Sequence, residues 1–151
     1  MHFFANNAVK RVFSLRHDLS NAFIQLVRSA PGASVQIEIS DHHFPLFARG
    51  RTIQVDRGVL LLRTASGTAP AGFQISIDGT AMNAFALDPM LASLPGQPLP
   101  GGFTSQVRAQ HTFTIDNAGD LAPMAAAPGD TAAIDTDKLL DVLLYLEYRL
   151  G

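Results

Sequence analysis

Apolar and polar positions alternate along much of this chain, and the alternation predicts strands. "KRVFSLRH", Lys10 to His17, sets Arg11, Phe13, Leu15 and His17 against Val12, Ser14 and Arg16. "SVQIEIS", Ser34 to Ser40, places Val35, Ile37 and Ile39 on one face and Gln36, Glu38 and Ser40 on the other, the pattern of a half-buried strand. "TIQVDRGVLLLRT" reads as two short runs, Thr52 to Val55 and Gly58 to Thr64, with a bulge or turn at Gly58. "FQISIDG" alternates and ends in the turn signal Asp78-Gly79, so Thr80 to Leu87 is expected to be its hairpin partner. "FTSQVRAQHTFTID" resumes the alternation through Val107 to Ile115.

Between the first two strands the period changes. Ala22, Phe23, Leu26 and Val27 recur at helical spacing, with Asp18 or Ser20 as N-cap and Pro31-Gly32 as the stop, so one short helix is expected here. "TASGTAPAG", the proline-rich Asp88 to Gly102 and "NAGDLAPMAAAPGDTAA" read as surface connectors. The last segment, "DTDKLLDVLLYLEYRLG", is ambiguous. Leu139, Leu143, Leu146 and Leu150 fit a helical stripe, whereas Leu144, Leu146, Tyr148 and Leu150 alternate as in a strand. Short strands separated by turns, without repeated strand-helix units, predict a mainly β fold: an antiparallel, jelly-roll-like β-sandwich with one short helix near the N-terminus.

Composition narrows the function classes. A chain of 151 residues suits one domain spanning 1–151, and the absence of Cys excludes disulfides, zinc-cysteine sites and thiol catalysis. No basic region followed by an apolar core opens the sequence, so no signal peptide is expected, and the longest apolar run is too short to span a bilayer. Synthesis in the cytoplasm follows as the expectation. The net charge of -2 argues against nucleic acid as partner. The charge is uneven: eight Lys/Arg face four acids up to Ile75, and three face nine thereafter. Arg49, Arg51, Arg57 and Arg63 are therefore the candidate partner-binding residues.

Candidate chemistry is sparse. Asp41, His42 and His43 are adjacent, but neighbouring residues of a strand point to opposite faces, so the cluster is read as a strand-end corner with Phe44 and Phe47 as core anchors around Pro45. No nucleophile-elbow sequence and no phosphate-binding loop is present. No catalytic residue, metal or cofactor is expected.

"RVFSLRHDLSNAF", "HHFPLFARGRTIQV", "ISIDG" and "LLDVLLYLEYRLG", in this order, resemble the C-terminal β-domain of the A subunits of insecticidal Tc toxin complexes and their toxin-like relatives. The resemblance implies that the chain is the C-terminal piece of a much larger protein, released or associated with a cell surface. It also implies that the last segment is a strand, and that the domain is a non-enzymatic assembly module docking a B-like subunit. The alternative expectation is a module binding carbohydrate or a cell surface, with Tyr145 and Tyr148 as its aromatic groups.

Overall fold

The computed structural model describes residues 9–29, 32–40, 43–44, 50–122 and 134–150. Nine strands are described: β1 (Val9–Ser14), β2 (Ser34–Glu38), β3 (Ile53–Thr64), β4 (Gln74–Ile77), β5 (Thr80–Met82), β6 (Ala86–Asp88), β7 (Leu94–Pro98), β8 (Gln110–Asn117) and β9 (Leu139–Leu150). They form two antiparallel sheets, one ordered β1-β9-β3-β7-β6 and the other β2-β8-β4-β5. Their facing sides bury a shared core that includes Phe13, Leu60, Leu62, Leu144 and Leu146 from the first sheet and Val35, Ile37, Ile75, Ile77 and Phe113 from the second. This is the expected β-sandwich.

The first strand stops earlier than its alternation suggests, and capping explains why. Ser14 is the N-cap of a one-turn helix, α1 (Leu15–Asp18): its hydroxyl accepts from the His17 amide at 3.1 Å, while Asp18 Oδ2 accepts from the Ser14 amide at 2.8 Å. Asp18 thus closes the first turn instead of opening the main helix. That helix, α2 (Ser20–Arg28), follows Leu19 and turns Phe23, Leu26 and Val27 inward. A further short helix, α3 (Gly101–Ser105), adds Phe103 to the core.

Three other expectations change. The two runs after Thr52 are one strand, β3, whose register slips at Asp56 between the pairs Val55–Tyr148 and Arg57–Glu147. Gly58 serves a different purpose, since a Cβ there would meet Thr104 Cγ2 at 2.8 Å. The hairpin through Asp78-Gly79 forms, with φ of 50° and 85°, but β5 ends at Met82 and the chain crosses to the other sheet as β6. The connector from Asp88 contains β7, which pairs with β3 on one side and β6 on the other. Gly96 makes that pairing tight, because a Cβ at this position would lie 2.8 Å from Leu61 Cδ2 and 3.0 Å from Val59 Cγ1.

The last segment is a strand of twelve residues, paired with β1 and β3 along most of its length. Phe44 is a core anchor: it is buried and packs edge-on against Phe13 at 5.3 Å and Tyr148 at 5.5 Å. Asp41, His42, Phe47 and Arg49 lie outside the described residues. His43 serves its own corner, its Nδ1 accepting from the Ser40 amide at 3.0 Å. No helix among the described residues is long and apolar enough to cross a membrane.

Candidate functional site

The two sheets present very different outer faces. On the second sheet, polar side chains bond across the strands: Gln36 with Thr112 at 3.0 Å, Ser34 with Thr114 at 3.2 Å, and the Ser76 hydroxyl with the Asp116 carboxylate. Such a face satisfies itself and stays wet.

The first sheet carries apolar groups on its outer face as well as its inner one. Register places Val12, Tyr145, Val59 and Pro98 in one row across four strands, and Ser14, Leu143, Leu61 and Gly96 in the next. Val59, Leu61 and Tyr145 form a second buried cluster, separate from the core, against which Leu91, Leu94 and Leu143 pack. The turn between β6 and β7 supplies Leu91. Asp88 holds that turn: its carbonyl accepts from the Leu91 and Ser93 amides at 3.0 and 2.9 Å, and its Oδ1 from the Met90 amide at 3.0 Å. Ala92 and Ser93 both have φ of 57°, a conformation that costs non-glycine residues about 1 kcal/mol or more each. The strained turn displays Met90, which is 82% exposed, while Val12 is 43% exposed at the other end of the band.

Charged rows bound the apolar band. At one end lies the row Lys10, Glu147, Arg57; at the other, Asp141 stands opposite Arg63. Arg57 binds Asp88 at 2.9 Å and Glu147 at 3.6 Å, and its guanidinium lies 5.9 Å from the Tyr145 ring centre. Tyr145 donates to Glu147 at 3.0 Å, and its hydroxyl pKa is raised by burial and then by this carboxylate, so the phenol stays neutral. Beyond that row, Arg149 holds Asp56 through two bonds of 2.8 and 3.0 Å.

The three described candidate arginines therefore do not converge on one point. Arg57 and Arg63 stand at opposite ends of the band on β3, with Arg57 already engaged by two acids. Arg51 lies elsewhere, in an open polar cleft of about 540 Å³ that Arg108, Glu38, Ser40, Thr52 and Gln110 also line. Arg108 donates to the Arg51 carbonyl at 2.6 Å.

Two arrangements look catalytic in outline. His111 is buried with Nδ1 2.7 Å from Asp78 Oδ2, but its Nε2 lies 2.9 Å from the Val107 carbonyl, where a triad would place a hydroxyl. Asp78 Oδ1 also accepts from the Thr112 amide at 2.8 Å, so the pair ties the β4–β5 turn to β8. Asp141 is buried and accepts from the Ser14 hydroxyl, the Arg16 amide at 3.1 Å and the Val142 amide at 2.8 Å. It anchors the α1 cap. Among the described residues no three His, Asp or Glu side chains gather as a metal site requires.

The tyrosines do not form a sugar-stacking platform. Tyr148 is wholly buried, its hydroxyl finds no hydrogen-bond partner among the described residues, and burial raises its pKa; Tyr145 is 7% exposed. The apolar band is the feature that candidate-residue reasoning missed, although "GVLLLR" and "VLLYL" carry its signal. Unbroken apolar runs within a strand mark both faces as covered. No family model and no curated protein matches the chain.

Proposed function

We propose that this domain is a non-enzymatic protein-interaction and assembly module of a Tc-toxin-like A component, and that it docks a B-like subunit. One observation carries the interaction reading: the outer face of one sheet holds a second apolar cluster, with Val12 and Met90 exposed beside it. A face needed only for solubility would resemble the other sheet, where hydroxyls and amides bond to one another. Apolar groups left exposed beside such a cluster, as Val12 and Met90 are, mark a contact surface. The choice of partner rests on the "FSLRHD", "HFP" and "DVLLYLEYR" stretches. Burial of Tyr145 and Tyr148 disfavours the carbohydrate alternative.

Interferometry with an immobilised B-like subunit provides the test. Saturable binding by the component that carries this domain is expected, and it should weaken at least tenfold in Val12→Asp, which sets a carboxylate in the apolar band, a cost of about 1.4 kcal/mol or more. Absence of any binding by the full-length component would remove the docking role.

A further inference from the structure

The charges around the apolar band are not balanced in their use. Each acid described on this face is already bonded: Asp56 to Arg149, Asp88 and Glu147 to Arg57, and Asp141 to Ser14 and two backbone amides. Lys10 and Arg63 are exposed, and neither side chain takes an ion pair among the described residues. They stand in the two flanking rows, which are six residues apart along β9, or about 20 Å at the rise of a strand. The face thus offers an apolar centre with uncommitted positive charge at both ends.

We infer that the partner surface fitting this face is an apolar segment flanked by carboxylates about 20 Å apart, which meet Lys10 and Arg63. This rests on the docking proposal above and adds the partner's chemistry. A basic partner would find no acid among the described residues of this face that is not already bonded. An acidic-rimmed one meets two cations at no cost to existing pairs, and its apolar centre covers Val12, Leu143 and the turn that carries Met90.

The chain has only two lysines, Lys10 and Lys138, and the Lys138 ammonium donates to the Ala122 carbonyl at 2.9 Å. A water-soluble carbodiimide, which joins an ammonium to a touching carboxylate without a spacer, therefore reports on Lys10 with little ambiguity. In the complex with the B-like subunit, a cross-linked peptide joining Lys10 to a partner Asp or Glu is expected. K10E/R63E should slow association about tenfold at 0.1 M salt, with the difference shrinking as salt is raised. Binding that persists with no Lys10 cross-link and with unchanged association in K10E/R63E would overturn the acidic-rim assignment while leaving docking intact. Failure of the wild-type component to bind would overturn both.

Discussion

Gly119→Ala is expected to destabilise the domain by about 2–4 kcal/mol, measured by urea or thermal unfolding. Two effects add. Gly119 has φ of 53°, where a side chain is strained, and a Cβ there would lie 2.5 Å from Gly72 C and Phe73 N and against the Ala71 carbonyl. These neighbours are backbone, so no rotamer change relieves the clash. They also sit in a clasp: the Asp120 amide donates to the Ala71 carbonyl at 2.9 Å, and Asp120 Oδ2 accepts from the Ala71 amide at 3.0 Å. Opening it would disturb Phe73, a core residue. Gly79→Ala is the control. Its φ of 85° is equally unfavourable, but nothing lies within 4 Å of the added Cβ, so its loss should stay near 1 kcal/mol. Equal losses in the two variants would show that the close approach at Gly119 does not matter.

Asp141→Ala should cost a similar amount, about 2–4 kcal/mol, because it strips partners from one buried and two half-buried donors at once. The Ser14 hydroxyl and the Arg16 and Val142 amides all donate to this carboxylate. Ser14 is in turn the cap of α1, so the loss should spread to the junction between β1 and the helices. Faster amide exchange at Arg16 and His17, together with the lower midpoint, is the expected signature. A variant as stable as the wild type, with those amides still protected, would show that the carboxylate is dispensable.

Much of the sandwich is legible in the sequence because the strands facing the core alternate cleanly, as Val35, Ile37 and Ile39 do against Gln36, Glu38 and Ser40. The Asp78-Gly79 hairpin is legible for a different reason: both residues adopt positive φ, which that pair tolerates. What the pattern conceals is tertiary. Leu94 to Pro98 carries two prolines and a glycine and reads as a loop, yet Gly96 is what lets it pack on Val59 and Leu61 as a strand. The end of β1 is hidden likewise, because alternation continues through Leu15 and His17 while Ser14 and Asp18 start a helix.

The candidate surface was less legible. Counting arginines marks Arg57 and Arg63 but cannot show that Arg57 is spent on Asp88 and Glu147, two acids distant in sequence. Nor does it show that Lys10 and Arg63 flank one band, since β1, β9 and β3 become neighbours only through the sheet order. The final strand is ambiguous by periodicity because both its faces are apolar. Leu144, Leu146 and Tyr148 face the core while Leu143 and Tyr145 face the outer cluster, a double burial that blurs a period of two into a helical stripe.

Hydroxyl-radical footprinting of the protein, free and mixed with the proposed B-like partner, tests most directly whether this outer face is the docking surface. Met90 and Val12 are exposed on the proposed face, Ile24 is 45% exposed on α2, and Met82 is 1% exposed in the core, so the chain contains its own controls. Binding should suppress oxidation of Met90 and Val12, leaving Ile24 as reactive as before and Met82 unreactive throughout. Full reactivity of Met90 and Val12 in the complex, with protection appearing at Ile24 or along the polar sheet, would contradict it.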